Sequence, residues 1–201
     1  PYSDANYWSE KLMARCGTYM NNPTGIYVQT YTDRLYVFVN EDVPTDATLY
    51  IAAAGVDQMI TARKSGQKLK KGLNVIDGDA DKLYYILYTV DTKSMTKRIE
   101  EWPDIKIHIE GGKVDGYFDA TRHTDADYKK LLNAASNTTF VAKGKHAVMN
   151  IRTFIFKETY PNQIAKAVAC LDSIALWEKE LIGITEAVAN GERAGAPYYL
   201  T

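Results

Sequence analysis

The sequence predicts an α+β protein: an antiparallel, jelly-roll-like β-sandwich over residues 1–120, then a helix-rich segment over residues 121–201. Three observations carry this. Roughly seven or eight short runs of strand character, with period-two alternation where it is clearest, crowd the first part and are parted by turn signals. The period changes between Asp119 and Thr124. The segment from Asn162 to Ile184, "NQIAKAVACLDSIALWEKELIGI", then carries the strongest helical stripe of the chain.

The elements come in this order. "SDANYWSEKLMARCG" reads as a helix, with Ser3 or Asp4 as cap, Trp8, Leu12 and Cys16 on one side, and Gly17 as stop. Next, Ile26 and Val28 alternate with Tyr27 and Gln29; after a turn at Thr32–Asp33, Leu35, Val37 and Val39 alternate with Tyr36 and Phe38. That is a hairpin with one core face. The strands "TLYIAAA", "MITARK", "KGLNVID" and "KLYYILYTV" come next, separated by "NEDVPTD", "SGQ" and "DGDAD". In "DIKIHIE", Ile105, Ile107 and Ile109 share one face, and Lys106, His108 and Glu110 the other. The wider stretch "DIKIHIEGGKVDGYFDATRHTDADYKKLL" reads as strand, Gly-Gly turn, strand and helix start, the seam between the two halves.

Thr124 caps the next helix, with Asp127 at the fourth position and Tyr128, Leu131 and Leu132 behind it. "HAVMNIRTFIF" reads as a strand running into a short helix. On the long helix the stripe comprises Ile164, Ala167, Val168, Leu171, Ile174, Ala175, Leu181 and Ile182. Leu171 and Ile174 are expected buried, and part of Trp177, Leu181 and Ile182 exposed. Glu178 falls within the stripe by spacing and needs a partner or the edge. The Gly- and Ala-rich tail reads as a loop.

The 201 residues carry a formal net charge of -1, so no global field recruits nucleic acid or a membrane surface. No apolar run is long enough to form a transmembrane segment. The basic stretch "TARKSGQKLKKGL", with Arg63, Lys64, Lys68, Lys70 and Lys71, reads as a solvated hairpin edge. Cys16 and Cys170 belong to no metal-spacing motif; they read as buried free thiols, with one long-range disulfide as the alternative. Starting at Pro1 and ending in "APYYLT", the chain is expected to be an excerpt of a longer protein.

No motif assigns catalysis. His108, His123 and His146 lack the spacing of a zinc helix, and there is no H-E-x-x-H and no G-x-S-x-G. Asp115 and Asp119 could serve as a carboxylate pair, but aspartates in turns usually do turn chemistry. Trp102, beside Pro103, could join Tyr117 and Phe118 in an aromatic platform, with core packing as the plainer reading. The candidate binding residues are therefore Trp102, Tyr117, Asp119 and His123, with no catalytic or metal-ligating residue.

"NNPTGIYV", "RLYVFVN", "KIHIEGGKVDGYFD" and "RHTDADYKKLL", in this order and spacing, resemble the enhancin-like zinc metallopeptidases: the viral enhancins and the bacterial mucin-degrading gluzincins. The resemblance runs from about Asn22 to about Gly183, most of the chain. It implies a β-rich amino-terminal part that precedes a region with a zinc-binding H-E-x-x-H helix. No residue here matches those ligands, so the chain itself is expected to hold no cofactor, and zinc is expected in a full-length parent. The resemblance further implies secretion or a cell-surface location, a host glycoprotein or glycan as partner, and contact with the remainder of the catalytic domain. A standalone glycan- or glycoprotein-binding sandwich is the alternative.

Overall fold

The computed structural model describes residues 2–4, 22–54, 66–91, 101–181 and 198–200. Among them three sheets form. The first joins β1 (Tyr2–Asp4), β2 (Asn22–Val28), β4 (Ala47–Ala54), β5 (Gln67–Lys68), β7 (Lys82–Asp91) and β9 (Lys113–Val114). Its order is β5-β4-β7-β2-β9, and β1 also pairs with β7. The second contains β3 (Arg34–Val39), β6 (Gly72–Asp77) and β8 (Ile107–Glu110) in the order β6-β3-β8. The third runs β10 (Tyr117–Asp119), β11 (Thr139–Lys143), β12 (Ala147–Arg152) and β13 (Tyr198–Leu200). Three helices come after the first two sheets: α1 (Asp125–Ala134), α2 (Thr153–Thr159) and α3 (Ala165–Leu181).

The sheets stack, and side-chain alternation shows how. In β3, Leu35, Val37 and Val39 are fully buried while Arg34, Tyr36 and Phe38 are exposed, as period two demands. The buried set packs on Leu49, Ile51, Tyr84, Ile86, Tyr88 and Val90 of the six-stranded sheet. The other face of that sheet carries Leu83, Tyr85 and Leu87, which meet Val141 and Val148 of the third sheet. β7 is thus covered on both faces, which accounts for its nearly unbroken apolar run. Beyond the third sheet, Phe140, Ala142 and Met149 face Tyr128, Leu132, Phe156, Ile164 and Val168 of the helical layer.

The α+β expectation and the largely antiparallel first two sheets hold, and two particulars differ. The strand expected in "HAVMNIRTFIF" is β12, but β11, which pairs with it between α1 and α2, goes beyond the expected elements. The third sheet is also mixed, since β10–β11 and β12–β13 pair in parallel. β11 eludes a reading by alternation because it lies between the six-stranded sheet and the helices, so four of its five residues are buried. Ser3 and Asp4 belong to β1; the rest of the helix expected there, "MITARK", Arg63, Lys64 and Ile182 lie outside the described residues. Lys68, Lys70 and Lys71 are exposed, as a solvated edge requires.

Helix starts are specified chemically. Thr124 Oγ1 accepts from the Asp127 amide and Asp127 Oδ2 accepts from the Thr124 amide, so the expected capping box is present. Asp125 Oδ1 accepts from the amides of Ile164 (2.7 Å) and Ala165 (2.9 Å), tying the start of α3 to α1. The buried side of α3 runs through Val168, Ala175 and Lys179, in line with Ile164 just before its first residue. Ile174, expected inside, is 40% exposed, because at about 100° per residue it lies roughly 80° around the helix from Ile164. Lys179 takes a core-side position instead; burial lowers its pKa, against the pull of Asp172. Glu178 faces solvent, and Cys170 is a free thiol on the exposed side, contrary to the buried expectation.

Leu181 is 87% exposed, so Leu181→Ala should change stability by no more than about 0.5 kcal/mol. Leu171 packs at the rim of the helical core, and its truncation should cost about 1–2 kcal/mol. Urea denaturation of both variants checks the contrast; a larger loss at Leu181 would show that the face is covered.

Candidate functional site

The stretch from Asp104 to Asp119 crosses all three sheets. β8 lies in the three-stranded sheet, β9 in the six-stranded and β10 in the four-stranded. Each transfer is made at glycine. Gly111 and Gly112 have φ of 95° and 65°, in the left-handed region. A Cβ on Gly112 would stand 2.8 Å from the Tyr27 carbonyl, and one on Gly111 would strike the Arg34 carbonyl. The Gly-Gly pair is needed to bring two sheets this close.

Beside this turn opens a cavity of about 340 Å³, walled by Tyr27, Gln29, Asp33, Arg34, Lys113 and the two glycines. Its charges are engaged. The Lys113 ammonium lies 5.2 Å from the Tyr27 ring centroid, donates to Ser136 Oγ at 2.8 Å and sits 3.4 Å from Asp115. Arg34 Nε meets Asp77 Oδ1 at 3.2 Å. Tyr27 donates to Asp81, and its pKa is pushed up to about 12 by burial and then by Asp81 and Asp115. Its phenol stays protonated at neutral pH, so this cavity offers polar contacts but no activated nucleophile.

Of the sequence candidates, the structure brings Tyr117, Asp119 and His123 together and leaves Trp102 apart. Trp102 is buried in the core between the first two sheets, so the packing reading holds and the platform reading fails. Phe118 is likewise fully buried, under the helices. Asp119 accepts from the Thr121 hydroxyl (2.6 Å) and amide (2.9 Å) and from the Tyr117 hydroxyl (3.3 Å). Its backbone amide donates to His123 Nδ1 at 3.1 Å. Asp115 accepts from the amide and hydroxyl of Ser136. Both carboxylates therefore do turn chemistry: Asp119 fastens the end of β10 to its turn, and Asp115 ties the link between β9 and β10 to the chain after α1.

Burial would raise the Asp119 pKa, but the Thr121 bonds, Lys143 at 3.8 Å and Tyr117 together hold it below the ordinary 3.8. A depressed folded pKa gives stability that is complete above the unfolded carboxylate's range and is lost as pH falls through the folded value. Asp119→Asn should thus cost about 1–3 kcal/mol at pH 7. The gap from the parent chain should close as the pH drops below about 4. Thermal melts across pH check this; a gap that persists unchanged into acid would assign the loss to shape rather than charge.

A zinc centre does not fit the described residues. His108 Nε2 lies 2.6 Å from Glu110 Oε1 on the outer face of the three-stranded sheet, His123 closes the turn after β10, and His146 stands in the β11–β12 turn. Among the described residues no three His, Cys, Asp or Glu side chains are grouped to hold a metal ion.

Sequence reasoning passes over two exposed aromatics, Tyr36 and Phe38. The signal is present: both occupy the non-core positions of an alternating strand, where polar residues are the norm.

No protein-family model matches the sequence, and no curated protein sequence matches it. Solved structures do match. A metallopeptidase from Bacteroides thetaiotaomicron is 27% identical, with a TM-score of 0.73 over 99% of this chain and 33% of its own. A metallopeptidase in complex with Tn antigen is 27% identical, with a TM-score of 0.72 over 99% of this chain and 36% of its own. The catalytic module of the metalloprotease ZmpA from Clostridium perfringens is 14% identical, with a TM-score of 0.67 over 98% and 42%. The chain spans about a third of the length of the first two. Its fold is one that these metallopeptidases contain.

Proposed function

We propose that this chain is the amino-terminal, non-catalytic portion of a secreted, enhancin-like zinc metallopeptidase acting on mucin-type glycoproteins. The observation that carries the reading is the match of 99% of the chain to a third of a metallopeptidase at 27% identity. The second such structure, solved with Tn antigen, supports a glycosylated substrate. In this reading the zinc ligands and the general-base glutamate come from the remainder of the parent. The described residues scaffold that part: the glycine turns lock three sheets together, and the third sheet carries the helical layer.

The test is the parent reading frame. An H-E-x-x-H is expected within about a hundred residues after Thr201. The expressed parent should cleave an O-glycosylated mucin peptide and lose that activity to a chelator, and the 201-residue chain alone should not cleave it. Zinc-dependent cleavage by the 201 residues alone would overturn the reading. A stop codon or an unrelated domain after Thr201 would instead favour a standalone glycan-binding module, a reading to which the exposed aromatic pair lends support.

A further inference from the structure

The helix α3 is apolar on two sides and packed on one. Val168 and Ala175 lie on its buried side. Cys170, Ile174, Trp177 and Leu181 lie on another and are exposed, Trp177 at 64% and Leu181 at 87%. At about 100° per residue these side chains fall within an arc of about 60°, centred roughly 140° around from the buried side. They alternate as the a and d positions of a coiled-coil seam do. Single exposed apolar residues are ordinary. A set in one register, running about 17 Å along a helix, makes a ridge that fits the groove of a second helix. Charge stands on its flanks: Glu178 and Glu180, both exposed, bracket the end that carries Trp177 and Leu181.

We propose that this ridge docks an amphipathic helix from the remainder of the parent chain, one with an apolar seam and Lys or Arg at its flanks. The existence of that remainder rests on the proposed function; the ridge says where it attaches. Three observations choose the occupant. About two thirds of each of the first two matched metallopeptidases lies outside the stretch that this chain matches, so further chain accompanies this fold there. The ridge is also small. It offers four side chains, where a stable interface between separate chains takes about 20–30 residues on each side. A contact of this size holds when the partner is tethered, because a covalent link raises the effective concentration to the millimolar range. That favours a segment of the same protein over a second copy. Charge points the same way. A parallel second copy would bring Glu178 and Glu180 of both ridges to one seam, whereas basic flanks pair with them.

Cys170 lies within the ridge and reports on it. The test times its alkylation by iodoacetamide in the 201-residue chain and in the expressed parent, with peptide mass spectrometry to separate it from Cys16. In the 201-residue chain Cys170 is expected to react as a free thiol at every protein concentration. In the expressed parent it should react at least about tenfold more slowly, as a group released only by local opening does. Trp177→Gln with Leu181→Gln should leave the melting temperature of the 201-residue chain unchanged, because both side chains are exposed there. In the expressed parent the same pair should restore most of the Cys170 reactivity. Glu178→Lys with Glu180→Lys should also speed the reaction there, by setting like charges against the basic flanks. Equal Cys170 rates in the chain and the expressed parent overturn the proposal. A Cys170 already slow in the dilute chain does so too, since the ridge is then covered from within. Slowing that sets in only as the chain is concentrated gives the ridge to a second copy and also overturns it. Protection that survives the glutamine pair overturns it by placing the shield elsewhere. Unchanged reactivity in the charge-reversed parent strikes the basic flanks. If the glutamine parent does not fold, the unmutated chain and parent decide. The two readings fail separately. A protected Cys170 in a parent without chelator-sensitive cleavage upholds the ridge and removes the peptidase; a cleaving parent whose Cys170 reacts as fast as in the chain does the reverse.

Discussion

Tyr128→Ala is expected to cost about 3–5 kcal/mol, as the loss of a large side chain from a closed core does. Tyr128 is fully buried where the helical layer meets the third sheet. Its ring meets Phe118, Phe140 and Phe156 edge to face, with centroids 5.4, 5.8 and 6.5 Å away. Such pairs add to the burial term, at about 0.5–1.5 kcal/mol each. Its hydroxyl donates to the Tyr160 carbonyl at 2.8 Å, and burial, then the charge of Asp125, raises its pKa so that the donor is retained. Tyr128→Phe separates the two contributions: it keeps the ring and leaves one carbonyl unpaired, for about 1 kcal/mol. Urea denaturation of both variants is the measurement. A loss below about 1 kcal/mol for Tyr128→Ala would mean that the ring cluster does not hold the helical layer in place.

Much of this arrangement is legible in the sequence where one local rule acts alone. The alternation of Leu35, Val37 and Val39 with Tyr36 and Phe38 predicts a strand with one face inward, and β3 is that strand. Thr124 and Asp127 predict a cap, and both reciprocal bonds form. "HAVMNIRTFIF" predicts a strand entering a short helix, and β12 enters α2 at Thr153. Legibility fails where two layers compete for one element. β11 shows no alternation because both of its faces are covered, and so it does not announce a third sheet. The apolar stripe of α3 is wider than its packed arc: Ile174 is apolar but lies off that arc, while Lys179 lies on it. Among the candidate site residues, Trp102 cannot be told from an exposed aromatic by its neighbours alone. Asp119 and His123 do lie together, but their bonds go to Thr121 and to the backbone, so they fasten a turn. The exposed pair Tyr36 and Phe38 requires knowing which face of which sheet is left open.

Asp172→Ala should remove about 3 kcal/mol, although the residue stands on the flank of a helix and outside any apolar cluster. Its carboxylate accepts from three consecutive backbone amides: Lys145 at 2.8 Å, His146 at 2.8 Å and Ala147 at 2.9 Å. These amides form the turn between β11 and β12, so one side chain of α3 fixes the hairpin on which the helical layer rests. Bonds to a charged acceptor contribute about 1.5–3 kcal/mol each, but the Lys145 amide is exposed and water replaces its partner at little cost. The expected total is therefore well below the sum of three. Gly144 is part of the same device, because a Cβ there would run into the Asp172 carboxylate. Gly144→Ala should then cost about 2 kcal/mol by pushing the acceptor off the turn. Asp172→Asn, which retains one acceptor oxygen without the charge, should fall between the parent chain and Asp172→Ala. Hydrogen exchange gives the decisive readout: the amides of His146 and Ala147 should lose protection in Asp172→Ala, while those of β3 keep theirs. If exchange at His146 and Ala147 is unchanged and the stability loss is under about 0.5 kcal/mol, the hairpin is held by its strand pairing alone and the carboxylate is incidental.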